Sequence, residues 1–121
     1  MTYDLYSFRH IIVLSSSFEP VNRPEITQVR GQLTLSDQSV LHVRENYIIA
    51  TGWIDYSYHW QSATHQFIHR WDNAHPVPIL ETSPHHQHIG SEENVQPAEP
   101  MTLEKVLAFI ASQLAHPLTS D

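Results

Sequence analysis

The chain contains no cysteine, which removes disulfides, thiolate nucleophiles and thiolate metal sites from consideration. Glycine is scarce, at three residues in 121, too few for a loop whose backbone amides cradle a phosphate. No apolar run approaches the roughly 20 residues of a membrane span. Met1-Thr2-Tyr3-Asp4 carries no basic leader region. Basic residues number six against 13 acidic ones, for a formal charge of −7. That balance argues against non-specific binding of nucleic acid, which runs on phosphate neutralisation. These absences lead us to expect a soluble, cytoplasmic protein, with one domain over residues 1–116 and a short tail over 117–121.

What the chain does have is histidine, ten residues of it. Three segments concentrate six of them: Tyr56-Ser-Tyr-His-Trp60, His69-Arg-Trp-Asp-Asn-Ala-His75 and Pro84-His-His-Gln-His88. Histidine has no strong helix or strand preference, and at this density it serves as acid, base, hydrogen-bonding switch or metal ligand. Acidic residues avoid the same region: only Asp55, Asp72 and Glu81 lie between Gly52 and Gly90. A locally neutral or positive site is therefore compatible with the overall acidity.

Alternation places the elements. Val29, Leu33 and Leu35 share a face, Ser36–Ser39 reads as a turn, and Leu41 and Val43 continue a hairpin. Glu45 extends that apolar face. Either it points inward, where a carboxylate must be paired or working, or the strand ends there and it meets water. A second hairpin spans Ile48–Trp60 and Gln66–Asn73 around Ser62–His65. Its faces sort into Ile54, Tyr56, Tyr58 and Trp60 with Phe67, His69 and Trp71, against Ser57 and His59 with Ile68, Arg70 and Asp72. A four-residue loop pairs Trp60 with Phe67, Tyr58 with His69 and Ser57 with Arg70. Residues 74–100, with five prolines, read as a long functional loop holding the histidine tract. Leu103, Val106, Leu107, Ile110 and Leu114 predict an amphipathic helix capped by Thr102 and closed by Pro117. Residues 3–14 fit a helix or an edge strand. The fold class is α+β: an antiparallel sheet of five or six strands with a C-terminal helix packed on it.

For chemistry, His, Tyr, Glu and Arg can supply the base, acid and phosphate-binding cation of a small metal-independent ribonuclease. The candidates are His59, Arg70, His85, His86, His88, Glu45 and Tyr58, with Tyr56, Asp72 and Asn73 shaping the substrate site. A metal site is weaker, because the histidine spacing fits no helical or zinc-finger pattern, and no cofactor is assigned. His42, His65 and His116 read as surface residues. A structural role for the whole cluster, or a non-enzymatic module binding a partner protein through its aromatic and histidine surface, are the alternatives.

The order Tyr56-x-Tyr58-His59, then Arg70-Trp71-Asp72-Asn73-Ala74, then Pro84-His85-His86-x-His88, resembles the TumE family of small bacterial toxins. Glu45, the acidic Glu92-Glu93 and the terminal helix also match, so the resemblance covers about residues 27–115. The chain departs from the family pattern at Asn73-Ala74-His75-Pro76, where Asn-Ala-Pro-His-His is usual, which puts His75 in doubt as a site residue. The resemblance implies a toxin of a type II toxin–antitoxin pair, neutralised by a helix-turn-helix antitoxin, with RNA as substrate. A homodimer through a sheet edge is compatible with it.

Overall fold

The computed structural model describes residues 2–115. Nearly every strand finds its partner in the next one along the chain. A short 3-10 turn (Tyr6–Phe8) leads into β1 (Ile12–Ser15) and β2 (Val21–Asn22), and both pair with β3 (Ile26–Leu35). From there the sheet is an antiparallel meander: β4 (Val40–Ile48), β5 (Trp53–Gln61), β6 (Phe67–Asp72), β7 (His86–Ile89) and β8 (Val95–Pro97). A single helix, α1 (Leu103–Ala115), follows. The class is the expected α+β, with eight strands where five or six were anticipated. The N-terminal segment supplies both a helical turn and an edge strand. Pro117, His116 and the tail lie outside the described residues.

The helix begins as its sequence dictates. The Thr102 hydroxyl accepts from the Lys105 amide at 3.2 Å, and Glu104 sits in the first turn where the helix dipole favours a carboxylate. Its apolar stripe, Leu103, Val106, Leu107 and Ile110, is buried against Leu33, Leu41, Val43, Tyr56, Tyr58, Trp60 and Trp71. One face of the sheet is therefore covered by the helix and the other is not. On the covered face Gly31 lets the Phe18 ring lie on β3, since a Cβ there would come within 2.3 Å of the ring.

Four expectations are corrected. First, the 74–100 segment is not one loop: the histidine tract forms β7, and Pro97 ends edge strand β8. Both strands lack apolar alternation because neither builds the core. Second, β5 and β6 pair as Tyr58↔Trp71, His59↔Arg70, Trp60↔His69 and Ser57↔Asp72, two residues away from the expected partners. Third, a bulge between Trp60 and Gln61 sets Gln61 opposite Phe67. This moves Phe67 to the open face, against His59, and turns Ile68 toward the core. The faces of His69, Arg70, Trp71 and Asp72 are as anticipated. The expected strand Ile48–Trp60 is also interrupted by a turn through Gly52, whose φ of +73° suits glycine.

Truncating the helix stripe tests this arrangement. Leu107→Ala, at a fully buried position, is expected to lower unfolding free energy by about 2–5 kcal/mol. Val13→Ala, at 58 % exposure, is expected to change it by about 0.5 kcal/mol or less. Equal losses in urea melts of the two variants would show that α1 does not cover the sheet as described.

Candidate functional site

Cross-strand partners share a face, so the meander lays its side chains in rows. On the open face one row runs Arg30, Arg44, Ser57, Asp72, His86 from β3 to β7. The next runs Gln32, His42, His59, Arg70, His88. Two residues along a strand separate the rows, roughly 7 Å. Together they floor a cleft of about 500 Å³ lined by Arg30, His42, Arg44, Ser57, His59, Arg70, Asp72 and His75.

The eastern half of this face, toward β7, is a closed ionic network. Arg70 donates from Nε to Asp72 Oδ2 at 3.1 Å, and from one terminal nitrogen to Glu92 Oε1 at 2.7 Å. Its other terminal nitrogen contacts Glu92 Oε2 and lies 3.2 Å from His88 Nε2. Burial works against the Arg70 charge, but the hydrogen bonds and charges of Glu92 and then Asp72 hold its pKa above the ordinary value. Glu92 is held low in turn, chiefly by its hydrogen bond from Arg70. Asp72 is buried, and its Oδ1 lies 2.9 Å from His86 Nε2.

The half toward β3 is open. Arg30 and Arg44 are exposed and stand directly opposite one another. Like charges in that position repel, and no carboxylate pairs with either among the described residues. His42 Nε2 is 3.0 Å from Gln61 Oε1, so this nitrogen carries the proton. The His42 and His59 rings lie 6.3 Å apart between centroids. His59 packs on Phe67 at 4.9 Å, and its Nε2 is buried without a hydrogen-bond partner. Burial first, then the charges of Arg70 and His42, push the His59 pKa down, which favours the neutral ring.

The sheet divides the sequence candidates. His59, Arg70, Asp72, His86 and His88 meet on the open face. Glu45, Tyr56, Tyr58, His85 and Asn73 belong to the covered side and cannot reach the same bond. Glu45 does point inward: Tyr58 donates to it at 2.5 Å, and Tyr3 also donates to it. Burial and then Glu45's charge raise the Tyr58 pKa, which keeps the phenol protonated. Tyr56 stacks on Tyr58 at 5.1 Å, and its hydroxyl lies 2.7 Å from His85 Nδ1. Asn73 accepts from the Tyr56 amide and donates to the Ile54 carbonyl, at 2.7 and 2.9 Å, so its side chain closes the end of the β5–β6 ladder. Tyr56, Tyr58, Trp60 and Trp71 are core, so they do not form the aromatic part of a partner-binding surface.

Sequence reasoning passed over His42, Arg30, Arg44 and Glu92. The first three carried a readable signal, since the alternation of the first hairpin already set them on the face opposite Leu33 and Val43. Glu92 was noted only as part of an acidic stretch, and its place over Arg70 could not be read because it depends on the unforeseen strand β7. His65, expected at the surface, is exposed.

A model of the family described as Toxin TumE matches residues 4–114. No curated protein and no solved structure matches the chain. No helix among the described residues is long and apolar enough to cross a membrane.

Burial lowers the pKa of His59, His69 and His85. The unfolded chain takes up protons on these rings near pH 6.5, while the folded chain resists them. Stability from these groups is thus full above about pH 6.5 and lost as pH falls toward the folded values. Urea midpoints are expected to drop between pH 7.5 and 5.5, and His59→Gln is expected to shrink the drop. An unchanged wild-type midpoint across that interval would contradict the assignment.

Proposed function

Since the chain belongs to the TumE family of toxins, we propose that it arrests growth by cutting RNA on the open face of its sheet. A helix-turn-helix antitoxin encoded beside it neutralises it. The observation that carries this reading is the unpaired Arg30–Arg44 couple next to a neutral, unpartnered His59. Two exposed arginines set directly opposite one another on β3 and β4 suit a phosphate. In a protein of net charge −7 they are also, among the described residues, cations on this face with no carboxylate partner.

The roles follow from the rows. Arg30 and Arg44 hold the scissile phosphate and stabilise the charge that builds on its oxygens. His59 takes the proton of the attacking 2′-hydroxyl, and His42 returns one to the leaving oxygen. Arg70 acts through others: its guanidinium already holds Asp72 and Glu92, so it positions the row and keeps His59 neutral. Glu45, Tyr58, Tyr56, Asn73 and His85 support the fold from the covered side.

Purified protein incubated with single-stranded RNA at low salt tests the assignment. His59→Ala is expected to lower kcat by about 10²–10⁴-fold with the melting temperature nearly unchanged. Arg44→Ala is expected to raise KM and flatten the dependence on salt concentration. Induced in cells at matched levels, wild type should stop growth and both variants should not. Growth arrest by wild type with an intact RNA pool, and equal toxicity of His59→Ala, would move the activity elsewhere.

A further inference from the structure

We infer that Asp72, His86 and His88 form a binding site for a divalent cation of the zinc class. The buried imidazoles supply the first observation. His86 is fully buried, and its Nδ1 lies 2.8 Å from the Pro84 carbonyl oxygen. His88 is buried too, with Nδ1 2.8 Å from the Glu92 carbonyl oxygen. A carbonyl can only accept, so each ring keeps its proton on Nδ1 and a neutral ring aims the Nε2 lone pair inward. This is how metal-binding histidines are commonly oriented by their surroundings.

Inward lies the Asp72 carboxylate. Oδ1 is 2.9 Å from His86 Nε2, and Oδ2 is 3.6 Å from His88 Nε2. A lone pair against a carboxylate sets two acceptors face to face, and His86 Nε2 makes no hydrogen bond despite the short distance. A buried polar atom in that state is costly, and a cation between the two acceptors resolves it. The three ligand atoms lie within 4.8 Å of one another. Tetrahedral zinc with bonds of about 2.0–2.1 Å sets its ligands roughly 3.3 Å apart, close to the 2.9 and 3.6 Å that separate the two Nε2 atoms from different oxygens of the Asp72 carboxylate. Two imidazoles and one carboxylate, with no thiolate, favour zinc over magnesium or copper(I).

Arg70 is the competitor for this place. Its guanidinium touches Asp72 Oδ2 and His88 Nε2, satisfying part of the site but leaving His86 Nε2 unmatched. An ion takes the His86 side and releases Arg70 from His88. Glu92, already bonded to both terminal nitrogens of Arg70, retains the guanidinium. Asp72 lines the same cleft and row as Arg44, so the ion adds a charge beside the phosphate-holding pair. That last role rests on the ribonuclease reading; the binding itself does not.

The full chain, stripped of metal, is titrated with zinc by calorimetry and with cobalt(II) by visible absorption. One ion per chain is expected, with His86→Gln and His88→Gln each weakening zinc by roughly tenfold or more. His65→Gln, at an exposed loop position, should bind as wild type does. Circular dichroism checks each variant. Should His86→Gln fail to fold, His88→Gln and the zinc-induced rise in wild-type melting temperature carry the test. Equal binding by His86→Gln, His88→Gln and wild type would mean an adventitious ion only and overturns the site. No binding by wild type also overturns it. Zinc bound by wild type that cuts no RNA keeps the site and sinks the ribonuclease reading. RNA cut by protein that binds no zinc does the reverse.

Discussion

One helix covering one face of the sheet is the constraint from which the rest follows. Strand side chains alternate, so burying Leu33, Leu41, Val43, Tyr58, Trp60 and Trp71 under α1 forces their neighbours onto the opposite, uncovered surface. His42, Arg44, Ser57, His59, Arg70 and Asp72 are those neighbours. The core and the candidate site are thus two readings of the same strands, and stability and chemistry are set at alternate positions. A substitution at an odd or even position along β5 affects one of them far more than the other.

Within the open face, Asp72 joins elements that are distant in sequence. It anchors Arg70 on its own strand and faces His86 and His88 on β7. Glu92, beyond β7, closes over Arg70 from the solvent side. This half is dense and charge-balanced, whereas the Arg30–Arg44 half is sparse and positively charged. The division suits a site in which one part is fixed by internal ion pairs and the other meets an external anion.

Much of this was legible in the sequence, and the failures have physical causes. Period-two patterns placed β3 to β6, and the Thr102 cap with the leucine stripe placed α1. The inward turn of Glu45 stayed undecided because a carboxylate on an apolar face is settled by partners, here Tyr3 and Tyr58, of which Tyr3 is 42 residues away. Strand β7 escaped because its outward-facing residues are His86 and His88 and its covered-side residues include Gln87, which bonds His69 at 2.7 Å. A strand stabilised by polar partners on both faces shows no hydrophobic alternation. Prolines at 84 and 97 strengthened the loop reading, although edge strands such as β8 tolerate them. Missing β7 carried a cost: it left His86 and His88 as mobile candidates when they are buried, and it hid Glu92.

The bulge beside the β5–β6 loop has a consequence for how the gene can change. It already absorbs a mismatch of one residue between Trp60 and His69, with Phe67 and Ile68 exchanging sides in the process. Lineages can therefore lengthen or shorten the loop over residues 62–66 and let the slack be taken up there, with His69 to Asp72 unmoved. A single inserted codon after His69 has no such buffer. It turns Arg70 and Asp72 toward the helix, setting a guanidinium in the aromatic surroundings of Tyr58 and Phe109 and dismantling the face in one step. Drift in length is tolerated on one side of His69 and lethal to the site on the other.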